Sequence, residues 1–250
     1  MRNETKKRSL HQGVVLFTAL CSAGCFIPPP QRADTESPRL VYRIAWSPKR
    51  PHVAHVTVDL PMFMDPTLFD LLPIPGKKQR TLSITDVRCG KRRVLPYPRG
   101  GWKVPAVCSE LSYNVILQRF KGSYMASAQT AVFDLKEKPW AFLPGGALFL
   151  MPRGKRMTAH VYIEGFKGPR YTRMQPLPKG GYAGLSTPFL GLNFLGLGGF
   201  KKKTVQAGPL KVRHLFASPP PFDLGELTGH HKGALSYLHK VMGAPKHRSM

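Results

Sequence analysis

The sequence has 250 residues, 42% of them hydrophobic, and a formal net charge of +25 from 38 lysines and arginines against 13 aspartates and glutamates. Such a charge predicts attraction to polyanions, either anionic lipid, acidic polysaccharide or nucleic acid, or a generally basic surface without a specific partner. The cations form small clusters between apolar segments without a zinc-finger or RNA-binding aromatic motif, which argues against a specific nucleic-acid reader.

Residues 1–25 predict a bacterial-type signal peptide with a lipobox-like end. A basic start at residues 2–8 precedes an uncharged apolar run at residues 13–24, and small residues follow. The apolar run is shorter than the roughly 20 residues that a permanent membrane helix needs. We therefore predict an exported protein of the bacterial cell envelope, membrane-anchored or periplasmic. Loss of residues 1–24, which hold four cations and one anion, leaves a net charge of +22.

The end of this leader, Ser22-Ala23-Gly24-Cys25, resembles the lipobox of bacterial lipoproteins. A lipobox usually has leucine three positions before the cysteine, where this chain has Ser22. We predict lipidation of Cys25 and hence a membrane anchor, with ordinary signal-peptide cleavage as the competing interpretation. The Pro-rich residues 26–38 suit a tether between the membrane and a folded domain.

Residues 39–170 predict a β-domain. Short β-branched and apolar segments alternate with glycine- and proline-containing turns, a pattern typical of a sandwich or open barrel. The fold class is therefore mainly β, with about seven to nine strands and a small α-containing C-terminal extension. The strand candidates are residues 40–46, 52–60, 81–87, 110–120, 130–135, 147–151 and 157–166.

Cys89 and Cys108 lie in strand-like sequence within this domain. An even pair of cysteines in an oxidising compartment predicts one disulfide, which would contribute about 3 kcal/mol for a loop of roughly 20 residues. The pair lacks the spacing of a zinc site.

The remainder of the chain predicts a glycine-rich apolar connector over residues 171–208 and a strand plus C-terminal helix over residues 209–250. The strand covers residues 210–217, and the helix residues 224–242, where Asp223 and Glu226 have the spacing of a capping box. We interpret His230, His231 and His239 as packing or surface residues, because His231 and His239 are two helical turns apart. No metal ligand is predicted.

The β region resembles the N-terminal β-domain of the glycyl-aminopeptidase family, gluzincin metallopeptidases that often carry a PDZ domain. The resemblance spans residues 39–170. It rests on the Tyr42 strand, the Pro51-His52-Val53-Ala54-His55-Val56-Thr57-Val58 hairpin segment, the Leu72-Pro73-Ile74-Pro75-Gly76 turn, Trp102-Lys103-Val104, residues 142–152 and the turn near residues 165–168.

The resemblance implies zinc peptidase chemistry, in which a His-Glu-x-x-His helix binds the metal and its glutamate activates water. The sequence contains no such motif. Residues 52–55 offer two histidines without the glutamate, in a predicted strand. No catalytic residue of the family can be carried over, and we predict no cofactor and no catalysis by this chain alone.

Three functions remain open. The first is an exported, lipid-anchored envelope protein with a non-catalytic β scaffold or binding domain. The second is the N-terminal fragment of a zinc metallopeptidase whose catalytic part is missing. The third is a cationic binder of envelope polyanions, such as anionic lipid or polysaccharide.

Replacing Cys25 with alanine tests the anchor. We expect the Cys25→Ala protein to lose acyl labelling and to leave the membrane fraction, because the thiol is the predicted site of lipidation. Fractionation and metabolic labelling with a radioactive fatty acid measure both effects. Unchanged labelling together with unchanged membrane fractionation would show that Cys25 is not an anchor.

Overall fold

A computed structural model describes residues 16–17, 39–63, 65–71, 83–98, 100–120, 131–136, 138–184, 186–207 and 210–216, and, nearer the C-terminus, residues 225, 229–230, 232–234 and 237. The described residues fall into two compact units. The larger unit contains those between residues 39 and 200, and the smaller unit contains residues 16–17 and those from 201 onward. Cys25 and the tether at residues 26–38 lie outside the described residues.

Nineteen strands and two short helices have described bounds. The strands before residue 120 are β1 (Leu16–Phe17), β2 (Arg39–Trp46), β3 (Val53–Asp59), β4 (Thr67–Asp70), β5 (Ile84–Cys89), β6 (Arg92–Arg93), β7 (Trp102–Val104), β8 (Glu110–Ile116) and β9 (Gln118–Arg119). The later elements are β10 (Val132–Asp134), β11 (Trp140–Pro144), α1 (Gly145–Leu148), β12 (Met151–Pro152), β13 (Thr158–Glu164), β14 (Arg170–Thr172), β15 (Gln175–Pro176), β16 (Tyr182–Gly184), α2 (Thr187–Gly191), β17 (Phe194–Gly198), β18 (Lys201–Ala207) and β19 (Leu210–Phe216).

The mainly β fold class is confirmed. The alternating segments at residues 40–46, 52–60, 110–120 and 157–166 form β2, β3, β8 and β13, the long strands of the larger unit. These strands belong to an eight-stranded sheet of order β15-β16-β13-β2-β3-β8-β5-β6. The pairs are antiparallel except β2 and β13, which run parallel over seven residues.

Strict alternation of burial follows from the period of two in a strand. On β2 the buried residues are Leu40, Tyr42, Ile44 and Trp46, and the residues between them face solvent at least in part. Strands β3, β8 and β13 show the same pattern. One side of the sheet therefore faces the core, and the other side forms a polar surface.

Two smaller sheets complete the larger unit. One has the order β14-β17-β11-β10-β9 and the other the order β12-β4-β7. Buried residues of all three sheets belong to a single hydrophobic cluster, for example Ile44 of β2, Phe69 of β4 and Leu197 of β17. Trp46, Trp102 and Trp140 are all buried.

The segment after β11 differs from its prediction. Residues 147–151 were expected to form a strand, yet Gly145–Leu148 is a single helical turn and only Met151–Pro152 is extended. Gly145 packs against α2, where any Cβ would overlap the carbonyl oxygen of Leu190. The segment from Gly145 to Leu150 is buried throughout, so its backbone polar groups need partners inside the protein.

Two buried tyrosines supply some of these partners. The Tyr42 hydroxyl donates a hydrogen bond of 2.7 Å to the Leu150 carbonyl oxygen. The Tyr113 hydroxyl donates to the Leu148 carbonyl oxygen at 2.9 Å and accepts from the Leu150 amide at 3.1 Å. Burial raises the pKa of both phenols, so both remain protonated and able to donate. Strands β2 and β8 are thereby fastened to the segment that covers them.

Residues 171–208, predicted to be a loop-rich connector, contain more regular structure than expected. Described residues there form the rest of β14, then β15, β16, α2, β17 and β18. Several of the glycines that favoured a loop lie at close contacts between elements. Gly198 has a φ of +103°, and a Cβ there would overlap the Pro139 carbonyl oxygen. The predicted domain boundaries themselves stay predictions.

In the smaller unit, β18 and β19 form an antiparallel hairpin, and β1 pairs with β19. Strand β19 matches the strand predicted at residues 210–217. Within the predicted helix at residues 224–242, the described residues 225, 229–230, 232–234 and 237 are all helical, while Asp223, Glu226, His231 and His239 lie outside the description. No helix among the described residues is long and apolar enough to cross a membrane.

We expect Tyr113→Phe to lower the free energy of unfolding by about 2–4 kcal/mol, because it leaves two buried backbone groups without a partner. Tyr42→Phe is the matched control and should cost about 1–2 kcal/mol, since it frees one carbonyl. Urea unfolding of both variants measures the difference. An equal or smaller cost for Tyr113→Phe would contradict the bridging role of that hydroxyl.

Candidate binding surface

The metal chemistry that the resemblance implies needs several ligating side chains to lie together. Among the described residues, no group of three histidine, cysteine, aspartate or glutamate side chains lies close enough to hold a metal ion. His55 is on β3, where its Nδ1 lies 3.0 Å from Asn114 Oδ1 of β8. His52 is exposed in the preceding turn, and His230 is exposed on the C-terminal helix.

The solvent-facing side of β13 and β2 forms an open depression of about 610 Å³. Register explains its composition, since the parallel pairing sets His160 beside Val41 and Tyr162 beside Arg43. The antiparallel pairing then places Asp59 of β3 opposite Val41. The lining residues are Arg39, Val41, Arg43, His160, Tyr162, Ile163 and Glu164.

Arg43 is neutralised within this surface. Its Nη1 and Nη2 donate to the two carboxylate oxygens of Asp59 at 2.6 and 2.7 Å, and its Nε lies 3.6 Å from Glu164 Oε1. The hydrogen bond to Asp59 is the main cause of a raised pKa for Arg43. With two carboxylates around one guanidinium, this part of the concavity does not attract anions.

Besides Arg43, two basic side chains line the concavity, Arg39 and His160. Arg39 contributes positive charge at neutral pH, whereas His160 contributes little. Partial burial, together with the nearby Arg39, lowers the pKa of His160 below its ordinary value. His160 is therefore neutral at pH 7 and can donate or accept one hydrogen bond. The surface is a shallow polar platform on rigid strands, suited to contacting another surface and lacking the enclosure of a catalytic pocket.

Asp70, at the end of β4, is a second carboxylate with a structural role. Only 6% of Asp70 is exposed, and its carboxylate forms an ion pair with Arg153 and accepts a hydrogen bond of 2.9 Å from the Leu71 amide. Gly101 packs against it with a φ of +78°, where a Cβ would overlap the Phe69 carbonyl oxygen. Sequence reasoning gave no signal for this pair, because Asp70 and Arg153 are far apart along the chain.

Cys89 and Cys108 form a disulfide, as predicted, with Cα atoms 5.6 Å apart. The bond joins the end of β5 to the turn that precedes β8. The Cys108 amide also donates to the Pro105 carbonyl oxygen at 3.1 Å, which closes that turn. The other predicted site residue, Cys25, is outside the described residues, so its lipidation stays a prediction.

A second concavity, of about 440 Å³, lies beside the segment that follows β3. Its lining consists of Pro61, Met62, Phe63, Asp65, Lys155, Arg156 and Met157. Lys155 Nζ sits 4.5 Å from the centre of the Phe63 ring, in a cation–π contact, and 3.4 Å from Thr67 Oγ1. This concavity combines apolar side chains with two cations.

No protein-family model matches the sequence. A search of curated proteins likewise finds no relative.

Solved structures show a similar fold. An aminopeptidase N family protein from Idiomarina loihiensis superposes with a TM-score of 0.62 at 15% identity, over 84% of this chain and 38% of that one. An M1 zinc metallopeptidase from Deinococcus radiodurans gives 12% identity over 81% of this chain and 52% of that one, with a TM-score of 0.34 that is too low to establish a common fold. The chain thus spans less than two thirds of either structure. At 15% identity the first likeness establishes a shared fold and not a shared activity.

Asp59 and Asp70 provide a matched test, because each carboxylate forms an ion pair with an arginine and the two differ in burial. We expect Asp70→Ala to lower the free energy of unfolding by about 1–3 kcal/mol, because it leaves the buried Leu71 amide without its acceptor, whereas the half-exposed Arg153 remains solvated. Asp59→Ala should cost about 1 kcal/mol or less, since Arg43 and Asp59 are well exposed. Urea denaturation measures both. Equal losses would show that burial of Asp70 does not govern its contribution.

Proposed function

We propose that this chain is a non-catalytic β-domain that serves a zinc metallopeptidase, with the catalytic part supplied by a separate polypeptide segment. In this proposal the chain is exported and anchored through Cys25, and it acts as the scaffold that the catalytic part contacts. The main support is the fold, which is similar to part of an aminopeptidase N family protein over 84% of this chain. The narrower likeness to glycyl aminopeptidases belongs to the same proposal.

The residues of this chain support a non-catalytic β-domain that works with a separate catalytic part. The sequence has no His-Glu-x-x-His motif, and the described residues bring no three metal-ligating side chains together. What the larger unit does provide is a rigid sheet whose polar face carries the Arg43–Asp59–Glu164 cluster. Exposed charge pairs determine how two protein surfaces align more than they raise the binding affinity. The concavity on β13 and β2 is the surface that we assign to the catalytic part.

The DNA that follows the codon for Met250 tests the proposal. We expect a His-Glu-x-x-His motif with a downstream glutamate ligand, in a shifted frame or in an adjacent reading frame. The encoded segment, once expressed and mixed with this chain, should bind zinc and hydrolyse a peptide.

Substitutions on this chain test where the encoded segment binds. Arg43→Glu should weaken the association of the encoded segment with this chain. Arg119→Glu, a charge reversal on the short strand β9 of another sheet, should not weaken it.

Two results would overturn the proposal. One is a genomic neighbourhood without such a motif in any frame, which would leave a non-catalytic binding domain. The other is stoichiometric zinc and peptidase activity in this chain alone, measured by metal analysis and a fluorogenic peptide.

A further inference from the structure

The strand directions bring several separate features to one end of the eight-stranded sheet. Strands β2 and β13 begin at this end, and because β3 is antiparallel to β2, β3 finishes there. Strand β8 begins beside the finish of β3, and β5, antiparallel to β8, also finishes there. We call this the basic end and define it by Arg39, Met62, Lys91, Arg92, Arg93, Val107, Lys155 and Arg156.

Two apolar side chains project from the basic end. Met62 is 93% exposed and Val107 is 90% exposed, more than any other large apolar side chain in the described residues. The chain segments that carry them leave the sheet beside each other, because Asp59 pairs with Glu110 and the Leu60 amide donates to the Ser109 carbonyl oxygen at 2.8 Å. Val107 is held rigidly, since the neighbouring Cys108 is bonded to Cys89.

Several basic residues lie at the same end of the sheet as Met62 and Val107. Arg92 and Arg93 are exposed on β6, and Lys91 is exposed in the preceding turn. Arg93 lies directly opposite Arg88, a like-charge pair across the strands that only Asp86 offsets, through its ion pair of 2.8 Å with Arg88. Among the described residues, neither Arg92 nor Arg93 has an ion-pair partner.

Lys155 and Arg156 extend the charge to the other side of Met62, since all three line the same concavity. The acidic residues at this end are Asp65, in that concavity, Glu110, at the start of β8, and Asp59, at the finish of β3, whose carboxylate is paired with Arg43. Edge strands often carry cations to prevent pairing with other chains. Protection of the sheet edge accounts for Arg92 and Arg93. It does not account for the exposed apolar side chains of Met62 and Val107 at the same end of the sheet.

From this arrangement we propose that the basic end is a docking surface for an anionic lipid bilayer. Met62 and Val107 insert at the level of the headgroups and upper acyl chains, and the surrounding lysines and arginines bind lipid phosphates. The docking does not depend on a catalytic part.

The position of the chain entry supports a membrane on this side. Strand β2 starts at Arg39, so the predicted tether at residues 26–38 joins the domain at the basic end. Thirteen residues reach at most about 45 Å when fully extended. A lipid on Cys25 would therefore hold the basic end near the bilayer and would raise its local concentration there.

Vesicle binding tests this proposal with the full chain carrying Cys25→Ala, so that no acyl anchor contributes. Cosedimentation with phosphatidylcholine vesicles is compared with cosedimentation with mixed phosphatidylcholine–phosphatidylglycerol vesicles. We expect binding to the mixed vesicles alone, weakening steeply as salt is raised. Arg92→Glu/Arg93→Glu should weaken it at least about 25-fold, and Met62→Ser/Val107→Ser about tenfold.

The controls match these changes at other places. Lys167→Glu/Lys179→Glu changes the net charge equally at the far end of the sheet, beyond the finish of β13 and the start of β16. Leu135→Ser removes an exposed apolar side chain after β10. All the substituted residues are exposed, and unchanged urea midpoints would confirm that each variant folds.

Two outcomes would overturn the proposal. If Lys167→Glu/Lys179→Glu weakens binding as much as Arg92→Glu/Arg93→Glu, binding follows total charge and has no defined surface. If Met62→Ser/Val107→Ser binds mixed vesicles normally and soluble dextran sulfate competes fully, the basic end recognises polysaccharide-type polyanions in place of a membrane.

Discussion

The larger unit depends on the contact between two phenol hydroxyls and one stretch of buried backbone. Tyr42 and Tyr113 reach from the inner face of the sheet to the carbonyls and amide of residues 148–150. Those backbone groups are remote from water, and a missing partner would cost more than an ordinary hydrogen bond contributes. An irregular, wholly apolar segment can therefore lie at the centre of the protein. The position of α1, β12 and the adjoining sheet follows from where this segment is held.

Sequence patterns predicted the parts of the fold that are local. Alternation of burial identifies β2, β3, β8 and β13, because one face of each strand meets the core. Alternation was uninformative at residues 145–150, where both sides are buried, and a strand was predicted in place of a helical turn. The glycines after residue 171 were interpreted as loop formers, whereas Gly198 permits close packing of β17 on β11.

The candidate surfaces were harder to predict, since they depend on pairing between distant strands. The Cys89–Cys108 disulfide could be predicted, because cysteine pairing has few combinations. The Arg43–Asp59 pair and the pair of the buried Asp70 with the half-exposed Arg153 could not, because no local sequence pattern indicates them. The fold is like that of part of an aminopeptidase N family protein, whereas these 250 residues do not contain a His-Glu-x-x-His motif. In this protein, a similar fold is therefore not evidence of a similar functional site.

The parallel pairing of β2 with β13 has a consequence for biosynthesis. Strand β2 is made early, and its neighbour β3 follows at once, but its other edge stays unpaired until residues 158–164 leave the ribosome. An open edge of alternating apolar residues is a template for association with other chains. The edge of β2 is therefore open to such association until β13 pairs with it, and contacts so distant in sequence make closure of the sheet slow.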